Sequence, residues 1–73
     1  MKENYKNTFA EKIRILRKKS GLTQDAFGAR VHLSRSCIAN YEAGRRFPGK
    51  DLAEYIAICF GMDAEYFSEE AHA

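Results

Sequence analysis

Apolar residues recur along this chain at the three- and four-residue spacing of helices, and no alternating strand pattern bounded by turn signals occurs. Phe9, Ile13 and Leu16 define a first helix, for which Thr8 is the expected cap with Glu11 three residues on, and Gly21 its end. Thr23 caps a short second helix from Gln24 to about Val31, with Phe27 and Val31 turned inward. Ser34 caps a third from Arg35 to about Ala43, with Ile38 and Tyr41 inward and Gly44 just past its end. Pro48 and Gly49 break the chain. Leu52, Ala53, Ile56, Ala57 and Phe60 then form the broad apolar face of a fourth helix, stopped by Gly61. Asp63 caps a short fifth helix containing Tyr66 and Phe67. The expected fold is all-α: five helices in one compact domain over residues 1–73, with its core at about 8–68 and short polar tails at both ends.

Only "HLS" separates the second and third helices, which suits two helices crossing steeply, the helix-turn-helix arrangement. That geometry needs a very small residue where the helices touch, a turn residue able to take positive φ, and a helix start presenting short polar side chains. Gly28, His32 and Ser34 stand at those places.

Composition adds a charge asymmetry. Hydrophobic residues make up 45% and charged residues 30%, outside the regime of disordered chains. Residues 1–50 carry all 12 Lys and Arg against four acids, a balance of +8, and residues 51–73 carry six acids and no Lys or Arg, so the net +2 conceals a strongly basic portion. A polyanion is the natural partner for such a surface, because neutralising phosphates releases counterions. No run approaches the roughly 20 apolar residues of a membrane span, and "MKENYKNT" lacks the apolar part of a secretion signal, so a cytoplasmic location and no membrane partner are expected. Cys37 and Cys59 are expected as free thiols, Cys37 as a small packing residue. With His32 and His72 they make no metal-ligand spacing, so neither metal nor cofactor is expected.

Residues Gln24 to Tyr41, followed by "EAGRRFP", resemble the lambda-repressor and Cro-like helix-turn-helix family of bacterial and phage transcription regulators. The resemblance covers roughly residues 9 to 67. It includes the "LTQ" opening, the S-x-x-x-I-x-x-x-E-x-G pattern of the third helix and the proline before helix four. The chain departs from the family in two places: His32 occupies a turn position that is usually glycine, and Gly28 one that is usually alanine, costing about 1 kcal/mol of helix propensity. These departures predict a less rigid second helix within the same fold.

In that family the third helix enters the DNA major groove, so the resemblance implies that Ser34, Arg35, Ser36 and Asn40 read bases. Arg can bond to O6 and N7 of guanine, Asn to N6 and N7 of adenine, and Ser can donate or accept. The family counterpart of Gln24 binds phosphate, and Arg45, Arg46 and Lys50 are expected to meet phosphate too, positioning the protein without reading sequence. Lys18 and Lys19 contribute long-range attraction at most. Arg17 and Glu42 match positions that form a partly buried ion pair between helices one and three.

The implied function is a sequence-specific regulator of transcription, a repressor or autoregulator without a small-molecule ligand, bound to double-stranded DNA. Phage repressors and Cro proteins, controller proteins of restriction-modification systems and antitoxin-type autorepressors are all compact members of this kind. A protein-interaction module on the same scaffold is the rival from another class. An enzyme lacks its parts: there is no glycine-rich phosphate loop, no paired carboxylates with an obvious cleft, and no nucleophile with a base. One recognition helix reads too few base pairs, so a homodimer on a two-fold symmetric operator is expected, joined through Ile58, Met62, Tyr66 and Phe67.

Overall fold

The computed structural model describes residues 5–68 and contains four helices among them: α1 (Tyr5–Ser20), α2 (Gln24–Arg30), α3 (Arg35–Glu42) and α4 (Lys50–Cys59). Residues 1–4 and 69–73 of the predicted polar tails, His72 included, lie outside the described residues. No strand occurs among the described residues. α3 packs most closely on α2, then on α1.

Two expectations require correction. α1 starts at Tyr5, so Thr8 stands inside the first turns rather than at the cap. Nothing in "YKN" breaks a helix, and once a helix is nucleated each further residue adds a backbone hydrogen bond. The expected fifth helix is only a pair of overlapping turns, with Tyr66 N donating to the Asp63 carbonyl at 2.9 Å and Ser68 N to the Glu65 carbonyl at 2.9 Å. Asp63 does cap this segment, since its Oδ1 accepts from Glu65 N at 3.0 Å. The bonds are of the three-residue kind, and so short a segment does not recover the cost of helix nucleation.

Elsewhere the local signals act as expected. Thr23 accepts from Ala26 N and Ser34 from Cys37 N, each at 3.1 Å, satisfying donors that the first turns of α2 and α3 leave open. Phe9, Ile13, Leu16, Phe27, Val31, Ile38, Tyr41, Ala53, Ile56 and Ala57 form one buried cluster. The Phe27 and Phe60 rings stack at 4.3 Å, joining α2 to the end of α4.

The α2–α3 turn accommodates both departures from the family pattern. His32 adopts φ 63°, the left-handed region, with its N–H donating to Ala29 and that of Leu33 to Gly28. These two bonds form the Schellman closure that glycine usually makes possible. His accepts this conformation at a cost of about 1–2 kcal/mol. Gly28 is where the helices touch, as the motif requires. A Cβ there would stand 2.5 Å from the Leu33 carbonyl oxygen and 3.2 Å from Cγ1 of Ile38. Gly28→Ala should therefore destabilise the fold by about 1–3 kcal/mol although it gains about 1 kcal/mol in intrinsic helix propensity. A thermal melt decides between the two effects, and a raised midpoint would mean that the turn relaxes at little cost.

Candidate functional site

The exposed side of α3 is set by what its other side buries. Ile38, Tyr41 and Glu42 are buried, which leaves Arg35 and Ser36 exposed in the first turn and Asn40 half-buried one turn on. The Ser34 hydroxyl oxygen is occupied as the cap of α3, which leaves its O–H free to donate. Gly44, at φ 78°, closes the end of α3, and the Arg45 N–H bonds the Asn40 carbonyl at 3.0 Å, turning the chain back along the helix. Arg45, Arg46 and Lys50 are exposed. Arg45 Nη1 donates to Asn40 Oδ1 at 3.1 Å, so a residue expected on phosphate and one expected on bases are in contact.

Behind this surface lies a polar cluster centred on Glu42, whose side chain is 6% exposed. Arg17 grips the carboxylate with Nε at 2.6 Å from Oε2 and Nη2 at 3.0 Å from Oε1, and its Nη1 donates to the Leu22 carbonyl at 3.1 Å. This bidentate pair joins α1 to α3 as the resemblance implied. Burial pushes the Glu42 carboxyl upward, but hydrogen bonds from Arg17 and Gln24 and the charges of Arg17 and Arg14 outweigh it, holding the group below its ordinary value. The hydrogen bond to Glu42 raises the Arg17 guanidinium further above its usual range, against the opposing effect of burial.

Gln24 belongs to the same cluster, with Nε2 3.2 Å from Glu42 Oε1. The expected phosphate ligand thus spends part of its amide inside the protein, at the start of α2. Arg14 also enters, its Nη1 3.0 Å from the Glu42 carbonyl oxygen. Arg14 was not among the sequence candidates, although its place three residues before Arg17 puts both on one helical face. Phe47 was missed as well: it is 45% exposed and lines a shallow depression with Tyr41, Arg45 and Arg46. Its signal in the sequence was only its position beside two arginines.

The four residues expected at a dimer interface separate into different environments. Ile58 is 59% exposed on α4, near Tyr55 at 41%. Met62 and Tyr66 are half-buried against the core. Phe67 is only 1% exposed, with its ring 4.7 Å from that of Phe9, so it belongs to the chain's own core and is unavailable to a second chain. An anchor from α1 lies beside it: Lys12 Nζ donates to the Tyr66 carbonyl at 2.9 Å and lies 5.6 Å from the Tyr66 ring centre.

Among the described residues no group of three or more His, Cys, Asp or Glu could hold a metal ion, and no helix is long and apolar enough to cross a membrane. Both cysteines are free thiols, Cys59 exposed and Cys37 half-buried.

Residues 8–66 match the family model described as a helix-turn-helix domain. No curated protein matches the chain. Among solved structures the chain is similar to a hypothetical transcription factor, NHTF, from Neisseria, with a TM-score of 0.80 at 19% identity over 94% of this chain and 83% of that one. At that identity the likeness shows the shared fold.

Proposed function

This chain belongs to the helix-turn-helix domain family, and from that premise we propose that it is a sequence-specific, double-stranded-DNA-binding regulator of transcription of the lambda-repressor and Cro-like kind. The observation that carries this reading is the pairing of an exposed Arg35 and Ser36 at the start of α3 with exposed Arg45, Arg46 and Lys50 just beyond its end. A helix laid in the major groove offers the first group to base edges, while Arg46 and Lys50 meet phosphate and Arg45 stands beside Asn40 at the edge of the reading side. Ser34 and Asn40 complete the reading set. Gln24 holds a phosphate at the start of α2, with Glu42 fixing its amide from behind. A repressor or autoregulator acting on a two-fold symmetric operator is the form of regulation this small domain fits, since it works by occupying DNA and needs no ligand. The transcription-factor description of the Neisseria neighbour agrees with this reading.

The test compares two arginines on a selected operator and a scrambled duplex. Arg35→Ala should bring operator affinity closer to non-specific affinity by roughly ten-fold or more at fixed salt, the worth of one bidentate base contact. Arg46→Ala should weaken both duplexes alike and reduce the slope of log affinity against log salt by about one. Equal losses on both duplexes from Arg35→Ala would move that residue to the phosphate set. Absence of salt-dependent binding to any duplex would favour a protein-interaction module on the same scaffold.

A homodimer would supply the second half-site, and its contact surface is the exposed side of α4 around Ile58 and Tyr55, bordered by Met62 and Tyr66. Ile58→Asp should give a folded monomer by light scattering, because an unpaired carboxylate resists burial in an apolar interface. A parent chain that is monomeric at tens of micromolar, both free and on the operator, removes the dimer.

A further inference from the structure

Resting on the DNA-binding role above, we propose that Asn40 and Arg45 form one composite donor edge that selects guanine over adenine at the base pair it faces. The end of α3 builds this edge. Gly44 reverses the chain at φ 78°, and its N–H and that of Arg45 close back on the Tyr41 and Asn40 carbonyls at 3.1 and 3.0 Å. The reversal returns the Arg45 side chain to the reading side of the helix, where its Nη1 meets Asn40 Oδ1 at 3.1 Å. Residues 40 and 45 are therefore tied twice, through backbone and through side chains.

This tie changes what Asn40 can recognise. A free asparagine amide is both donor and acceptor, and its bidentate match to adenine uses both: Oδ1 accepts from N6 and Nδ2 donates to N7. Here Oδ1 faces a guanidinium. What remains to point outward is the Nδ2 amide of Asn40 and the further N–H groups of Arg45, all of them donors. Guanine presents two acceptors in the major groove, O6 and N7, and fits that edge. Adenine would set its N6 amino group against a cationic donor. Both residues keep access to a partner, Arg45 being exposed and Asn40 half-buried. Arg17, by contrast, is bonded to Glu42 and the Leu22 carbonyl inside the protein and offers no comparable edge.

Selection of bound sequences from a random duplex library, at one fixed salt concentration, tests the pair with the parent chain, Asn40→Ala and Arg45→Ala. Melting curves of the two variants, neither of which alters a buried side chain, control for folding. The parent should enrich guanine over adenine by roughly ten-fold or more at one position, and Asn40→Ala should relax that position alone. Arg45→Ala should shift the same position towards adenine, since it frees Oδ1. Enrichment of adenine by the parent at the position that Asn40→Ala relaxes overturns the proposal. So does an Arg45→Ala variant that weakens every sequence equally while all base preferences persist, because Arg45 is then a phosphate anchor. In both of those cases sequence-specific binding itself survives. A parent that enriches no sequence removes the DNA-reading role, and the composite edge with it.

Discussion

Arg17→Met should lower stability by about 3–5 kcal/mol at neutral pH, because it leaves the buried Glu42 carboxylate without its charge partner. The lower part of that range is expected, since Gln24 still bonds one carboxylate oxygen and Arg14 still lends its charge. For a domain of this size each kcal/mol moves the melting midpoint by roughly 4–8 °C, so the shift should be plain in a thermal melt. Its pH dependence identifies the cause. In the parent the carboxyl is held below its ordinary value of 4.5, so the pair's contribution is fully present above that pH and is lost as pH falls through the lowered value. In the variant, burial acts with less opposition and raises the carboxyl, so Glu42 takes up its proton at a higher pH and the stranded charge disappears. The difference between parent and variant should therefore narrow from pH 7 to pH 4. A difference that is constant across this range would mean that Arg17 acts through the packing of its aliphatic stem. A loss of DNA affinity with unchanged stability would place Arg17 on the phosphate surface instead.

Phe67→Asp should leave the chain unfolded at 25 °C. Truncating a buried phenylalanine costs about 3–5 kcal/mol, and the unpaired carboxylate adds a desolvation cost to it. The total stability of a small domain is only about 5–15 kcal/mol, and a chain of this length lies at the low end. The Phe67 ring meets Phe9, which itself meets Tyr41 edge-on at 5.4 Å, so the substitution removes the last turn's packing against the ring that joins α1 to α3. Loss of helical circular dichroism in Phe67→Asp, with Phe67→Leu still folded but melting lower, is the expected pair of results. A Phe67→Asp chain that melts like the parent and differs only in becoming monomeric would return Phe67 to a dimer interface.

The charge asymmetry, the helix starts at Thr23 and Ser34, the ends at Gly21, Gly44 and Gly61 and the short turn at His32 could all be read from the sequence. They depend on bonds within one helical turn and on conformations particular to one residue, so neighbours along the chain suffice to specify them. Much of the proposed interface was legible on the same grounds, because burying Ile38 and Tyr41 leaves Arg35 and Ser36 outside. Tertiary structure decided the rest. The close contact at Gly28 was legible from the motif, but that its nearest neighbour is the Leu33 carbonyl, 2.5 Å from the place of its absent Cβ, was not. The amide of Gln24 turns to a carboxylate 18 residues away, the Tyr66 carbonyl is bonded by a lysine 54 residues away, and Phe67 packs against Phe9 in the core. Periodicity marks a side chain as apolar or polar and assigns it to a face, but its partner is selected by which elements meet in space, and that depends on the packing of the whole chain.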